Sequence, residues 1–92
     1  MTWTAQQTRH FARQYKKLAN NTAADVGAAV AAVCLTPELG EHKKGDLAAL
    51  RVHKFRSGRL LYFLGYTLDD AVRLVYLEAV EPHENFYRDL KR

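Results

Sequence analysis

Cysteine is almost missing from this chain. One residue, Cys34, stands among 92, so no internal disulfide can form and nothing calls for an oxidising compartment. Paired-cysteine zinc spacing is missing for the same reason. There is no Gly-rich phosphate loop and no His-Glu-x-x-His helix motif, and no serine sits in a nucleophile motif. No apolar run approaches the ~18 residues that a membrane helix needs. The N-terminus lacks the cationic, apolar, small-residue order of a secretory signal. The expectation is a soluble cytoplasmic protein with no membrane association. Internal repeats, low-complexity tracts and linkers are also lacking.

What is present fits one domain over residues 1–92. The chain is 48% hydrophobic and 26% charged, a globular rather than a disordered composition. Its length lies near the small end of what folds alone. The net charge of +4 suits a polyanion or an acidic protein as partner, although many ordinary domains carry as much.

The first half reads as helical. Phe11, Tyr15 and Leu18 recur at helix spacing over residues 6–19, forming one apolar stripe. Arg9, Arg13, Lys16 and Lys17 fall opposite. Such a run is first of all a solvated face; contact with nucleic acid or an acidic partner is the functional reading. Met1 to Ala5 is an edge strand or a lead-in. Asn20 and Asn21 break the pattern, Thr22 is placed to cap a second helix, and Asp25 suits its positive end. That helix carries Val26, Val30 and Val33 on one side, with Cys34 at the stripe's margin as a small core residue, and ends at Pro37 and Gly40.

The second half reads as strands: 47–55, 60–66 and 72–80, rich in Leu, Val, Phe and Tyr. Ser57-Gly58 and Leu68-Asp69-Asp70 are the turns, and short turns make antiparallel neighbours. Pro82 stops the third strand. A short helix follows from His83 to Arg92. The expected fold is α+β: an N-terminal helical hairpin on a small antiparallel sheet, with a short C-terminal helix. The expected core is Phe11, Tyr15, Leu18, Val26, Val30, Leu50, Val52, one of Leu60 and Leu61, and one of Leu74 and Val75.

Arg51 and His53 straddle Val52, so they share one sheet surface while Leu50 and Val52 point to the other. Arg59 opens the second strand. His83 and Tyr87 close the third. Five groups that can act on a phosphodiester are thus expected on one face. RNA cleavage by attack of the 2′-hydroxyl needs a base, an acid and cations for the charge that builds on phosphorus. Arginine suits the last role through its planar, permanently charged fork. Histidine suits proton transfer, and tyrosine can stack a base. The chemistry calls for no metal and no cofactor. On residue types alone, basic residues on a strand are more often a solvated sheet face, and His83 beside Pro82 is as readily a helix cap.

The order of elements resembles the RelE/ParE superfamily of bacterial toxin–antitoxin toxins. FARQYKKL is similar to that family's first helix. GDLAALRVHKFRSGRLLYFL is similar to its paired central strands, and LEAVEPHENFYRDL to its last strand with a His-x-x-x-Tyr tail. The resemblance covers nearly the whole chain. It implies a toxin neutralised by a cognate antitoxin, and in ribosome-dependent members an endoribonuclease that cuts mRNA. By position, the catalytic set would be Arg51, His53, Arg59, His83 and Tyr87, with His83 or His53 in proton transfer and Arg51 and Arg59 on the phosphate. Arg13, Lys16, Lys17, Lys43, Lys44, Lys54 and Arg56 would bind the RNA. Members that poison DNA gyrase share the fold but generally lack the full set, so Arg59 and His83 favour the nuclease reading over the gyrase one. An inert basic binding module is the third reading.

Overall fold

The computed structural model describes residues 2–43 and 49–84 of the chain. The elements run β1 (Thr4–Gln7), α1 (Arg9–Lys16), α2 (Asn20–Leu35), a 3₁₀ turn (Pro37–Leu39), β2 (Glu41–His42), β3 (Arg51–Ser57), β4 (Leu60–Asp69) and β5 (Leu74–Pro82). The sheet order is β1-β5-β4-β3-β2. No helix among the described residues is long and apolar enough to cross a membrane.

Two expectations need correction. The chain opens on a strand rather than on a helical hairpin, and the two helices pack on different strands, α1 on β5 and α2 mainly over β3. The sheet is mixed rather than antiparallel. β1 pairs parallel with β5, Thr4 opposite Leu74 through Gln7 opposite Leu77, while the β2–β3, β3–β4 and β4–β5 pairs are antiparallel. The short polar run Thr-Ala-Gln-Gln becomes a strand because β5 supplies an open edge. Most of the expected C-terminal helix, with Tyr87 and Lys44, lies outside the described residues.

Local chemistry explains the helix ends. Thr8 caps α1, its hydroxyl accepting from the Phe11 N–H at 3.2 Å while donating to the Leu77 carbonyl at 2.9 Å. One side chain therefore starts the helix and ties it to β5. α2 begins at Asn20 with Ala19 in the cap position. Thr22 is not the cap as expected, because its hydroxyl meets Ser57 of β3 instead.

The main core lies between sheet and helices, with Phe11, Val26 and Val33 facing Tyr62, Leu64, Tyr66, Val75, Leu77 and Val80. A smaller cluster of Leu50, Val52, Phe63 and Ala79 occupies the opposite face. Tyr15 is 38% exposed and does not join the deep core as expected; of Leu60 and Leu61, Leu61 packs against the smaller cluster while Leu60 is 50% exposed. Tyr15 instead stacks on Phe11 at 6.0 Å.

Tyr66 is fully buried. Its hydroxyl donates to the Pro37 carbonyl at 2.7 Å and accepts from the Gly40 N–H at 2.8 Å. A Cβ at Gly40 would sit 2.6 Å from that oxygen, so only glycine fits. Burial pushes the phenol above the ordinary tyrosine range. Tyr66→Phe strands a buried backbone donor and should destabilise the fold by about 1–3 kcal/mol, at about 4–8 °C of melting temperature per kcal/mol for a domain of this size. Thermal denaturation followed by circular dichroism checks this; an unchanged melting temperature would rule the bond out as a stabilising element.

Candidate functional site

Strand alternation divides the expected site residues between the two faces of the sheet. Arg51, His53 and Phe55 stand opposite Tyr66, Leu64 and Tyr62, all residues of the helix-side core. The His53 ring stacks on Phe55 at 6.3 Å, and Phe55 on Tyr62 at 5.8 Å. The Arg51 guanidinium donates to the Gly40 carbonyl at 3.1 Å, holding the 3₁₀ turn to the sheet. Arg51 and His53 do share a face, as expected. That face is the one covered by helices.

Lys54 and Arg56 point the other way, with Phe63 and Leu61 opposite them. The Lys54 ammonium sits 5.8 Å from the centre of the Phe63 ring, and the His83 ring meets Phe63 edge-on at 4.9 Å. Arg56, Arg59, His83 and Glu84 line a cleft of about 230 Å³, floored by Leu60, Leu61 and Pro82. The structure thus brings Arg59 and His83 together and adds Arg56 to them.

The turn that carries Arg59 is two residues long. Ser57 pairs with Leu60, leaving Gly58 and Arg59 between them. Gly58 has φ +61, a left-handed conformation that glycine adopts at no steric cost. Arg59 therefore sits at the exposed tip and does not open the strand. The expected turn, Ser57-Gly58, was one residue early.

The last turn of α1 reaches the same end of β5. Gln14 accepts from the Val80 N–H at 2.8 Å and donates to the Glu81 carboxylate, beside Pro82 and His83. Arg13, Lys16 and Lys17 are exposed along this helix. Lys43 is elsewhere. It follows β2, whose His42 pairs with Arg51 at the far end of β3, and its ammonium lies 2.8 Å from Glu41, whose carboxyl it holds below the usual range. Among the described residues, no group of three His, Cys, Asp or Glu side chains is placed to hold a metal ion. The sequence reading missed Phe63, Leu61 and Glu84. Phe63 was legible in principle, as the cross-strand partner of Lys54.

Burial holds the His53 imidazole below the ordinary histidine range. The folded state disfavours the charged ring. His53 therefore supports stability above its unfolded value near ~6.5, and that support is lost as pH falls below it through the folded value. Between pH 7 and 5 the melting temperature of His53→Phe should drop less than that of wild type at matched ionic strength. Equal slopes would remove His53 as a source of acid sensitivity.

A family model described as the ParE-like toxin of type II bacterial toxin–antitoxin systems matches residues 5–91. The fold is similar to that of several solved structures. One is the RelBE2 toxin–antitoxin complex from Mycobacterium tuberculosis, 22% identical, with a TM-score of 0.80 over 90% of this chain and 100% of that one. Another is a doubly substituted E. coli toxin RelE in the free state, 19% identical, with a TM-score of 0.75 over 100% of this chain and 98% of that one. A third is the archaeal RelE–RelB complex from Pyrococcus horikoshii OT3, 15% identical, with a TM-score of 0.61 over 89% of this chain and 96% of that one. No curated protein sequence matches the chain.

Proposed function

The chain belongs to the ParE-like toxins of type II bacterial toxin–antitoxin systems, and from that premise we propose that it is a metal-independent endoribonuclease cutting mRNA in the ribosome. The observation that carries this reading is the cleft where Arg59 and Arg56 meet His83. In the reaction the 2′-hydroxyl attacks phosphorus as its proton is removed. The bond to the 5′-oxygen breaks, and that oxygen takes up a proton, leaving a 2′,3′-cyclic phosphate and a 5′-hydroxyl. Arg59 and Arg56 offset the charge on the phosphorane, where fixed donors act most strongly. His83 transfers a proton. Lys54, Arg13, Lys16 and Lys17 hold the RNA backbone, and Tyr87 stacks on a nucleotide. Arg51 and His53 support the sheet from its other face and take no direct part. Lys43 follows β2, away from the cleft, and takes no part.

The partner is a cognate antitoxin. Several proteins of similar fold were solved bound to one, and the charge of +4 suits an acidic, partly apolar segment that orders on binding. Expressed alone, the protein should arrest bacterial growth, and the neighbouring gene should relieve the arrest. Primer extension on ribosome-bound message should reveal cuts. Stalled DNA–gyrase complexes without cuts would replace the nuclease by a gyrase poison. Growth unaffected by a folded chain would leave an inert module.

A further inference from the structure

Ser57 ends β3, immediately before the turn that carries Arg59. It is nine-tenths buried at 6% exposure, in a hairpin whose tip residues Gly58 and Arg59, and the Leu60 it pairs with, are all exposed. Its hydroxyl oxygen lies 2.8 Å from Asp25 Oδ2 and 3.0 Å from Thr22 Oγ1, both on α2. A serine has one hydroxyl hydrogen to give. The carboxylate can only accept, so the hydrogen goes to Asp25, and the Thr22 hydroxyl is left to donate back to Ser57. Both contacts run from sheet to helix, joining residues 35 and 32 positions apart. Below the tip, this relay is what ties the root of the β3–β4 turn to the helical layer.

We propose that Ser57, held by Asp25 and Thr22, is a positioning residue that fixes Arg59 against His83. The cleft is assembled from two sources. Arg56 and Arg59 come from the β3–β4 hairpin and His83 from the end of β5. The β4–β5 ladder fixes His83 near the start of β4, its first pair being Tyr62 with Pro82. The two-residue tip lies beyond that ladder. Its tilt across the cleft is set by the ends of β3 and β4, and Ser57 anchors the β3 end. A hydrogen bond to a charged group is stronger than a neutral one, which makes Asp25 the firmer half of the clamp.

The proposal rests on the nuclease reading for its effect on rate, but not for its effect on the turn. Ser57→Ala should lower the single-turnover cleavage rate at saturating ribosome by roughly 10–100-fold, the scale that a small misplacement costs. The half-saturating ribosome concentration should stay unchanged. Ser57→Thr, which keeps the hydroxyl, should restore most of the rate. In an Arg59→Ala background, Ser57→Ala should add no further loss, because the clamp works through Arg59. Nitrogen-15 relaxation on the free protein supplies the arm independent of cleavage. Amide order parameters at Gly58 and Arg59 should fall toward about 0.6 or below in Ser57→Ala, less so in Asp25→Asn, with values in β5 unchanged. Order parameters at the tip equal to wild type in both variants would overturn the clamp. So would a Ser57→Ala loss that simply adds to that of Arg59→Ala. If wild type cuts no message, the nuclease reading falls and the relaxation measurement alone decides the clamp.

Discussion

Arg59→Ala is expected to slow ribosome-dependent cleavage of message by about 10²–10³, the usual loss when one fixed charge contact to a transition state is removed. Arg59 lies at an exposed turn tip, so its truncation should move folding stability by no more than about 0.5 kcal/mol. That separation makes the measurement clean: the melting temperature should hold while the rate falls. Arg59→Lys keeps the charge but loses the planar fork that spans two phosphate oxygens, and should recover only part of the rate. The loss should appear at saturating ribosome, since the interaction strengthens as charge builds on phosphorus. A variant that cuts as fast as wild type would remove Arg59 from the chemistry while leaving family membership intact.

His83→Ala should cost roughly 10²–10⁴, the contribution of a positioned acid or base. The imidazole is exposed and oriented by its edge contact with Phe63, so replacement disturbs little packing. Whether His83 gives or takes the proton is open to a substrate test. A message with sulfur at the 5′-bridging position has a leaving group that needs no protonation. If His83 is the acid, His83→Ala should cut this substrate nearly as fast as wild type does. If His83 is the base, the full deficit should persist. A variant as active as wild type on both substrates would remove His83 from the reaction.

Much of this was legible before any fold was known, and the failures have identifiable causes. Helix spacing picked out Phe11, Val26 and Val33 because burial on one side repeats every three to four residues. The resemblance to RelE/ParE toxins, carried by runs in both halves of the chain, is borne out by the family match over residues 5–91. Faces were harder. Alternation showed that Arg51 and His53 share a side, but not which side the helices cover. Leu50 and Val52 are apolar on one face and Phe55 on the other, and both faces bury side chains. Alternation cannot decide between two covered faces. Arg59 was displaced by one residue because Ser57, a typical turn former, stays in the strand when α2 offers its hydroxyl two partners. β1 was only half legible: Met1 to Ala5 reads as an edge strand or a lead-in, and a run of three polar residues and Ala5 carries too little periodicity to choose until β5 is beside it.

That first strand also governs timing. Thr4 pairs with Leu74, and Thr8 bonds to Glu78 across 70 positions of sequence. Within this sequence β1 is made well before β5 and has to wait for it. Closing so long a loop carries an entropic cost with no local contacts to offset it beforehand, and pairings this distant slow folding. His83 comes later still in synthesis. A nascent chain long enough to have made α1, α2 and β3 has neither a finished sheet nor a complete cleft. The cleft lined by Arg59 and His83 therefore takes shape only after β5 is free to pair.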